Sequence, residues 1–243
     1  MSNGREYLIP RDIIKVADTN FPTMWNDMRF GAHMGDFHEY REDFTTFTES
    51  QWTLTKVGTG TVIAGALRGG QISMTNSAAD NDNLNLQLEQ SSGVSNCPIF
   101  PQSGKLIFAE FRFAQQTDAT QSDIVIGLAG TGTTDAVGTP PTDGIFFRKD
   151  DGDTQLDFVS TRNGNSSVEV NIATFVPTAF FKVGFKISGI EMVEFFVNDV
   201  KKGEFKSNIP TPSGGLTPII AIQNGEAVAK RLFVDYIHIA QER

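Results

Sequence analysis

The sequence is poor in the residues on which disulfide-stabilised and membrane-spanning proteins depend. Cys97 is its only cysteine, so no disulfide can form within the chain, and stability must come from apolar burial or from association with other chains. This cysteine usage favours an intracellular assembly compartment. No window approaches about 18 consecutive apolar residues, and residues 1–10 lack the cationic start and apolar stretch of a Sec signal. We therefore predict neither a membrane span nor export.

Basic residues are also in the minority. Twenty Lys and Arg stand against twenty-nine Asp and Glu, which gives a formal net charge of −9, and no cluster of Lys and Arg stands out. Because neutralisation of phosphates dominates affinity for DNA and RNA, this balance argues against a nucleic acid as the main partner.

Residues for catalysis are equally scarce. The three histidines are too few, and too poorly spaced with Cys97, for a zinc motif. Neither a G-x-S-x-G elbow nor a phosphate-binding P-loop is present. A glycoside hydrolase needs two carboxylates about 5 to 10 Å apart, but Glu191 and Glu194 would point to opposite faces of a strand. The sequence predicts no catalytic residues, no metal site and no cofactor, and hence a protein that is not an enzyme.

Alternation of apolar and polar residues is the dominant positive signal. It is clearest in residues 105–113 and 181–187, where every second residue is apolar, and it is typical of strands with one buried face. Dipeptides suited to tight hairpin turns separate such runs: Asp151-Gly152, Asn163-Gly164, Ser188-Gly189 and Lys202-Gly203. Roughly ten to fourteen strands in two packed antiparallel sheets are expected. The predicted fold class is therefore all-β.

The first 41 residues differ in texture from the rest and show little alternation. We predict a short helix at residues 11–17, with Pro10 at its start. Met24, Trp25, Met28 and Phe30 have no obvious partner sheet, and Met and aromatic residues are enriched at protein–protein contacts. Residues 1–41 are thus predicted to form an extended arm with a partner interface at these four residues, and residues 42–243 a single sandwich domain.

Two loops are rich in oxygen ligands. The turn at residues 150–153 is best explained as a solvated hairpin turn, because its glycine falls where such a turn needs it. Asp80, Asp82 and Asn83 make the better candidate for a metal or sugar site, although an ordinary loop is the alternative that the pattern favours. The Gly- and Thr-rich run at residues 127–138 predicts a flexible surface loop.

Several segments together resemble a known family. They are Glu42-Asp43-Phe44, Trp52, Gly69-Gly70, the loop at residues 80–83, residues 181–187, residues 195–199 and residues 232–237. Over residues 42–243 they resemble concanavalin A-like (laminin-G-like) jelly rolls, and more narrowly those of virion structural proteins of tailed bacteriophages.

This resemblance implies a jelly-roll sandwich and a non-enzymatic component of a virion assembled in the host cytoplasm. The expected role is a capsid decoration (cement) protein, a homotrimer that binds the major capsid protein or another virion protein. The alternative is a tail or fibre adhesin that binds a glycan. Lectin-type members of the fold bind calcium and sugar through an acidic and Asn cluster, which this sequence does not match residue by residue.

Overall fold

The computed structural model describes residues 24–27, 36–65, 69–89, 98–116 and 120–243. The predicted helix at residues 11–17 lies outside these ranges, as do Met28 and Phe30 of the predicted interface. No helix in the described ranges has the length and hydropathy of a membrane-crossing segment. The only helical elements among them are two 3-10 turns, Met24–Asp27, here called the arm turn, and Glu49–Gln51.

Fifteen strands make up most of the described chain, which is more than the roughly ten to fourteen expected from a sandwich of this size. In chain order they are β1 (Phe37–Glu42), β2 (Thr53–Val57), β3 (Thr61–Ala64), β4 (Ile72–Thr75), β5 (Asn83–Gln87), β6 (Leu106–Gln115), β7 (Ser122–Gly130), β8 (Gly144–Lys149), β9 (Gln155–Arg162), β10 (Asn165–Thr174), β11 (Phe181–Ser188), β12 (Met192–Val197), β13 (Val200–Phe205), β14 (Leu216–Asn224) and β15 (Arg231–Glu242).

The strands form two antiparallel sheets, which confirms the predicted all-β sandwich. Sheet A has the order β13-β12-β11-β6-β15-β4-β3, with β1 paired to the C-terminal half of β15. Sheet B has the order β10-β9-β8-β7-β14-β5-β2. Neighbours in space are often distant in sequence, as in a jelly roll. The predicted boundary between the arm and the sandwich falls inside β1, and that division stays a prediction.

Phenylalanine rings from both sheets meet in the centre of the sandwich. Phe158 of sheet B stacks on Phe195 of sheet A with ring centroids 4.3 Å apart. The rings of Phe147 and Phe185 lie 4.9 and 6.0 Å from that of Phe158. All four side chains are fully buried. Because successive strand residues point to opposite faces, these contacts fix which residues of each strand face outwards.

Three of the four predicted hairpin turns lie between consecutive strands. Asn163-Gly164 forms the two-residue link between β9 and β10 with φ of 50° and 77°, the backbone that an Asn-Gly hairpin favours. Asp151-Gly152 lies between β8 and β9, and Ser188-Gly189 lies at the link between β11 and β12. These predictions are confirmed.

The fourth predicted turn is wrong. Lys202-Gly203 lies inside β13, and the link from β12 is made by Asn198 and Asp199, whose φ values are 48° and 67°. Gly203 is there for a different reason, since a Cβ at this position would lie 2.5 Å from Cζ of Phe195. A glycine inside a strand often marks such a close approach.

Phe158→Ala should strongly destabilise the fold, because the substitution leaves a cavity at the point where the two sheets meet. We expect a loss of about 3 to 5 kcal/mol in the free energy of unfolding, measured by urea denaturation. The matched control is Val168→Ala, at an exposed position of β10, which should change stability by less than about 0.5 kcal/mol. Equal losses for the two variants would contradict the central position of Phe158.

Candidate functional site

A cluster of aromatic, acidic and apolar side chains occupies the outer face of sheet A. The pairing register places Glu110 of β6 between Gly184 of β11 and His238 of β15. The arm turn lies over this row. The cluster, here called the outer patch, consists of Met24, Trp25, Phe108, Glu110, Gly184, Tyr236 and His238.

Glu110 is the centre of the outer patch and is only 9% exposed. Its two carboxylate oxygens have different donors: the Tyr236 hydroxyl donates to Oε1 over 2.6 Å, and the Trp25 indole Nε1 donates to Oε2 over 2.8 Å. Burial, and then the hydrogen bond to this carboxylate, raise the pKa of Tyr236 far above its usual range. Tyr236 therefore acts here as a hydrogen-bond donor and not as an acid.

Trp25 lies between two other rings of the outer patch. Its ring centroid is 4.5 Å from that of His238 and 5.4 Å from that of Phe108, and both pairs are stacked. Burial lowers the pKa of His238, and the Glu39 carboxylate, 3.6 Å from Nε2, offsets this only in part. The imidazole is therefore neutral at neutral pH, and the stack is one of uncharged rings.

Met24 fills the space that Gly184 leaves open. A Cβ at Gly184 would lie 3.1 Å from the sulfur of Met24, and Met24 is 3% exposed. Met24 also packs with Phe37, Phe108 and Phe196 in an apolar cluster on the outside of the sheet. Within the described chain, the arm turn thus covers a surface that alternation alone assigns to solvent.

Of the four residues of the predicted partner interface, the structure describes Met24 and Trp25. Met24 and Trp25 have an intramolecular partner, the outer face of sheet A, whereas the sequence suggested none. Contact of these residues with another chain stays a prediction. One residue in the sequence indicates that the surface beneath them is covered: Phe108 is large and apolar, and it occupies an outward position of β6.

The two carboxylates considered for glycoside hydrolysis do not form a pair. Glu191 lies in the turn before β12, where it accepts hydrogen bonds from Ser103 Oγ and the Ile190 backbone N–H. Glu194 lies on the outer face of sheet A between two lysines, Lys186 and Lys201. Burial would raise the pKa of Glu194, but hydrogen bonds from both lysines outweigh it and hold the pKa below its usual value. Each carboxylate has its own separate partners.

The loop at residues 76–83 is held by amide side chains. Nδ2 of Asn76 donates to the Asp82 carbonyl over 2.9 Å, and Nδ2 of Asn224 donates to the Ala79 carbonyl over 2.9 Å. Together they bridge the loop to the end of β14 and fix the residues on which the predicted metal or sugar site depends.

The three residues of that predicted site point to different surroundings. Asp80 is exposed, whereas Asp82 is buried and accepts a hydrogen bond from Ser77 Oγ. Nδ2 of Asn83 donates to Oδ1 of Asp135 over 2.8 Å. In the described ranges, no three His, Cys, Asp or Glu side chains converge as metal ligands would. Binding of a metal or sugar by this loop stays a prediction.

The Gly- and Thr-rich run at residues 127–138 is not the flexible loop that its composition predicts. Its first residues belong to β7, and the rest lies over β5, whose outward side chains are polar but buried. Three of them, and also Glu89 two residues beyond the end of β5, hold the loop by hydrogen bonds to its backbone or to Asp135; the three are Asn83, Asn85 and Gln87. The prediction was wrong because these anchors lie some 45 residues away along the chain.

The acidic turn at residues 150–153 lies beside a buried lysine of the same chain, Lys149. The side chain of Lys149 is fully buried, and its ammonium donates to the carbonyls of Asp150 at 3.0 Å, Thr120 at 3.3 Å and Ser122. Burial lowers the pKa of Lys149 to about 8, although nearby carboxylates, of which Asp123 contributes most, act in the opposite direction. The hairpin turn that the sequence favours here is confirmed.

Comparison with known proteins adds the fold but no close relative. No family model matches the chain, and no curated protein is significantly similar in sequence. Among solved structures, the β-glucanase of Bacillus licheniformis matches with a TM-score of 0.58 and 13% identity, covering 83% of this chain and 97% of that chain. Peanut lectin matches with a TM-score of 0.59 and 10% identity over 84% and 97% of the two chains.

An endo-β-1,4-glucuronan lyase from Trichoderma reesei is similarly related, with a TM-score of 0.54, 15% identity and coverage of 82% and 94%. The chain therefore has the concanavalin A-like jelly-roll fold that its sequence resembles. At these identities the likeness extends to the fold alone, because one fold carries many unrelated functions.

Lys149→Met should change how stability depends on pH. The pKa of Lys149 is about 8 in the folded protein, and its ordinary value is 10.5. At a pH between these two values, the folded state has released the proton of Lys149 while the unfolded state still holds it. Between these values the wild-type protein gains stability with rising pH. Urea denaturation below and above pH 8 should show the wild type gaining relative to Lys149→Met. A difference between the two proteins that stays constant over this range would contradict a lowered pKa.

Proposed function

We propose that the chain is a non-enzymatic binding protein, on the observation that the carboxylates of the outer face of sheet A already have partners. Glu110 accepts from Tyr236 and Trp25, and Glu194 from two lysines, while Asp235 pairs with Arg112. The catalytic acid of a glycosidase needs a raised pKa, and the second catalytic carboxylate needs access to water or to the substrate. The lysines beside Glu194 hold its pKa below the usual value, which works against the role of a catalytic acid.

The partner in this proposal is another protein, and the contact is the arm on the outer patch. Trp25 and Met24 belong to the residue types that dominate protein interfaces, and Trp25 keeps part of its surface accessible. Together with the resemblance to virion proteins of tailed bacteriophages, this supports a capsid decoration protein bound to the major capsid protein. A homotrimer suits the three-fold positions of a virion surface, because closed symmetry satisfies one contact patch repeatedly.

Carbohydrate binding is the second candidate, and the comparisons favour it. Structures named as glucanases, a lectin and a lyase share the sandwich. Next to the outer patch, the Arg112 guanidinium lies 4.3 Å above the Phe180 ring and pairs with Asp235. Rings beside planar polar groups are the arrangement on which sugars stack and form hydrogen bonds. In this alternative the chain is a tail or fibre adhesin, with Asp80, Asp82 and Asn83 as a further binding loop.

Trp25→Ala should weaken binding of the full-length chain to its virus particle. Hot-spot tryptophans at interfaces contribute on the order of 2 kcal/mol or more, so we expect about a 30-fold or greater loss in affinity by co-sedimentation with purified particles. The control is Ile190→Ala, which removes an exposed apolar side chain from the turn before β12. Equal binding by both variants and the wild type would remove the arm from the proposal.

A glycan array separates the two candidate functions. A decoration protein should leave the array blank, both with calcium and with EDTA. Binding that EDTA abolishes, and that Asp80→Ala or Asp82→Ala weakens, would support the adhesin with its acidic loop. Binding that does not depend on calcium and is lost in Arg112→Ala would instead support a sugar site beside the outer patch. Either kind of binding would contradict a purely structural role.

A further inference from the structure

We propose that the outer patch is a receptor for the Met24–Trp25 segment and that it accepts this segment from a second copy of the chain, so that copies associate by exchanging arms. This inference deepens the proposed function, because it states how the arm would join copies of the protein. It concerns self-association only, and it is tested separately from binding to a virus particle.

The receptor has a separate feature for each part of the segment. Gly184 leaves room for the Met24 side chain, and Glu110 accepts the indole N–H of Trp25. Phe108 and His238 stack with the indole ring. An apolar contact, a directed hydrogen bond and a shaped gap occur side by side, which makes the site selective for Met followed by Trp.

Without the segment the receptor is incomplete. Oε2 of Glu110 would lose its indole donor, and the carboxylate would depend on water for that hydrogen bond. Phe108, Phe37 and Phe196 would lose the cover of Met24. The site therefore favours occupation, whichever copy supplies the segment.

The contacts that the described residues of the arm turn make are side-chain contacts, so the same contacts can form between copies. The arm turn and Asp36 are separated by residues 28–35, which can span about 26 Å when fully extended. Trp25 and Phe37 contact the same Phe108 ring, so attachment within one chain does not need this reach. This length allows the segment to reach the outer patch of a neighbouring copy, and exchange from each copy to the next around a ring closes a symmetric oligomer such as the proposed trimer.

Mixing two full-length variants tests the exchange. Trp25→Ala lacks the indole that enters the receptor but keeps the receptor intact. His238→Ala keeps the indole but loses one of the two rings with which the receptor stacks on it. We expect the wild type to form oligomers at micromolar concentration and each variant alone to be mainly monomeric. An equimolar mixture should form a 1:1 heterodimer by native mass spectrometry, because the arm of His238→Ala can occupy the intact receptor of Trp25→Ala.

The matched control is a mixture of Trp25→Ala with the double variant Trp25→Ala/His238→Ala. Neither protein supplies Trp25, so this mixture should give no heterodimer. Circular dichroism establishes that each variant is folded. A monomeric wild type, or a mixture of folded variants that stays monomeric, would overturn arm exchange.

A synthetic peptide of residues 21–30 provides a second measurement. It should bind Trp25→Ala, with at least tenfold weaker binding to the double variant Trp25→Ala/His238→Ala or when its own Trp is replaced by Ala. Absence of binding to folded Trp25→Ala would overturn the receptor itself. If copies do not exchange arms but binding to virus particles still depends on Trp25, this inference is overturned and the proposed function remains in place.

Discussion

Aromatic packing between the two sheets is the constraint on which the remaining features depend. Phe158 and Phe147 reach across from sheet B to Phe195 and Phe185 of sheet A. Once these rings face inwards, strict alternation forces the neighbouring residues of β6 and β11 outwards. Glu110 and Gly184 thereby come to lie side by side on the outer face. The outer patch is thus a geometric consequence of how the core is packed.

Several buried polar groups have their partners within the chain. Lys149 meets backbone carbonyls, and Glu194 meets two lysines. The outward amides of β5 support the loop at residues 131–138. Satisfied buried networks add rigidity and specify one arrangement of the surrounding backbone.

Local patterns were enough to predict much of the sandwich. Alternation identified β6 and β11, and Asn163-Gly164 was correctly assigned to a hairpin, because both depend on residues adjacent in sequence. Gly203 was misassigned, since its neighbour Phe195 belongs to another strand. The partner of Trp25 could not be predicted for the same reason: Glu110 is 85 residues away. Sequence reasoning found the elements and the candidate side chains but not the contacts between them.

The fold itself leaves the function open, because the same sandwich occurs in a glucanase, a lectin and a lyase at 10 to 15% identity. Function depends instead on the side chains that a chain places on the fold, for example on the outer face of sheet A. Here that face carries a hydrogen-bonded carboxylate, stacked rings and the side chains of an arm. A glycan at the outer patch itself would have to compete with Trp25, whereas one bound beside Arg112 or at the loop of residues 80–83 would not. In the function proposed here, a second protein chain supplies or extends the contacts that the arm makes with the outer patch.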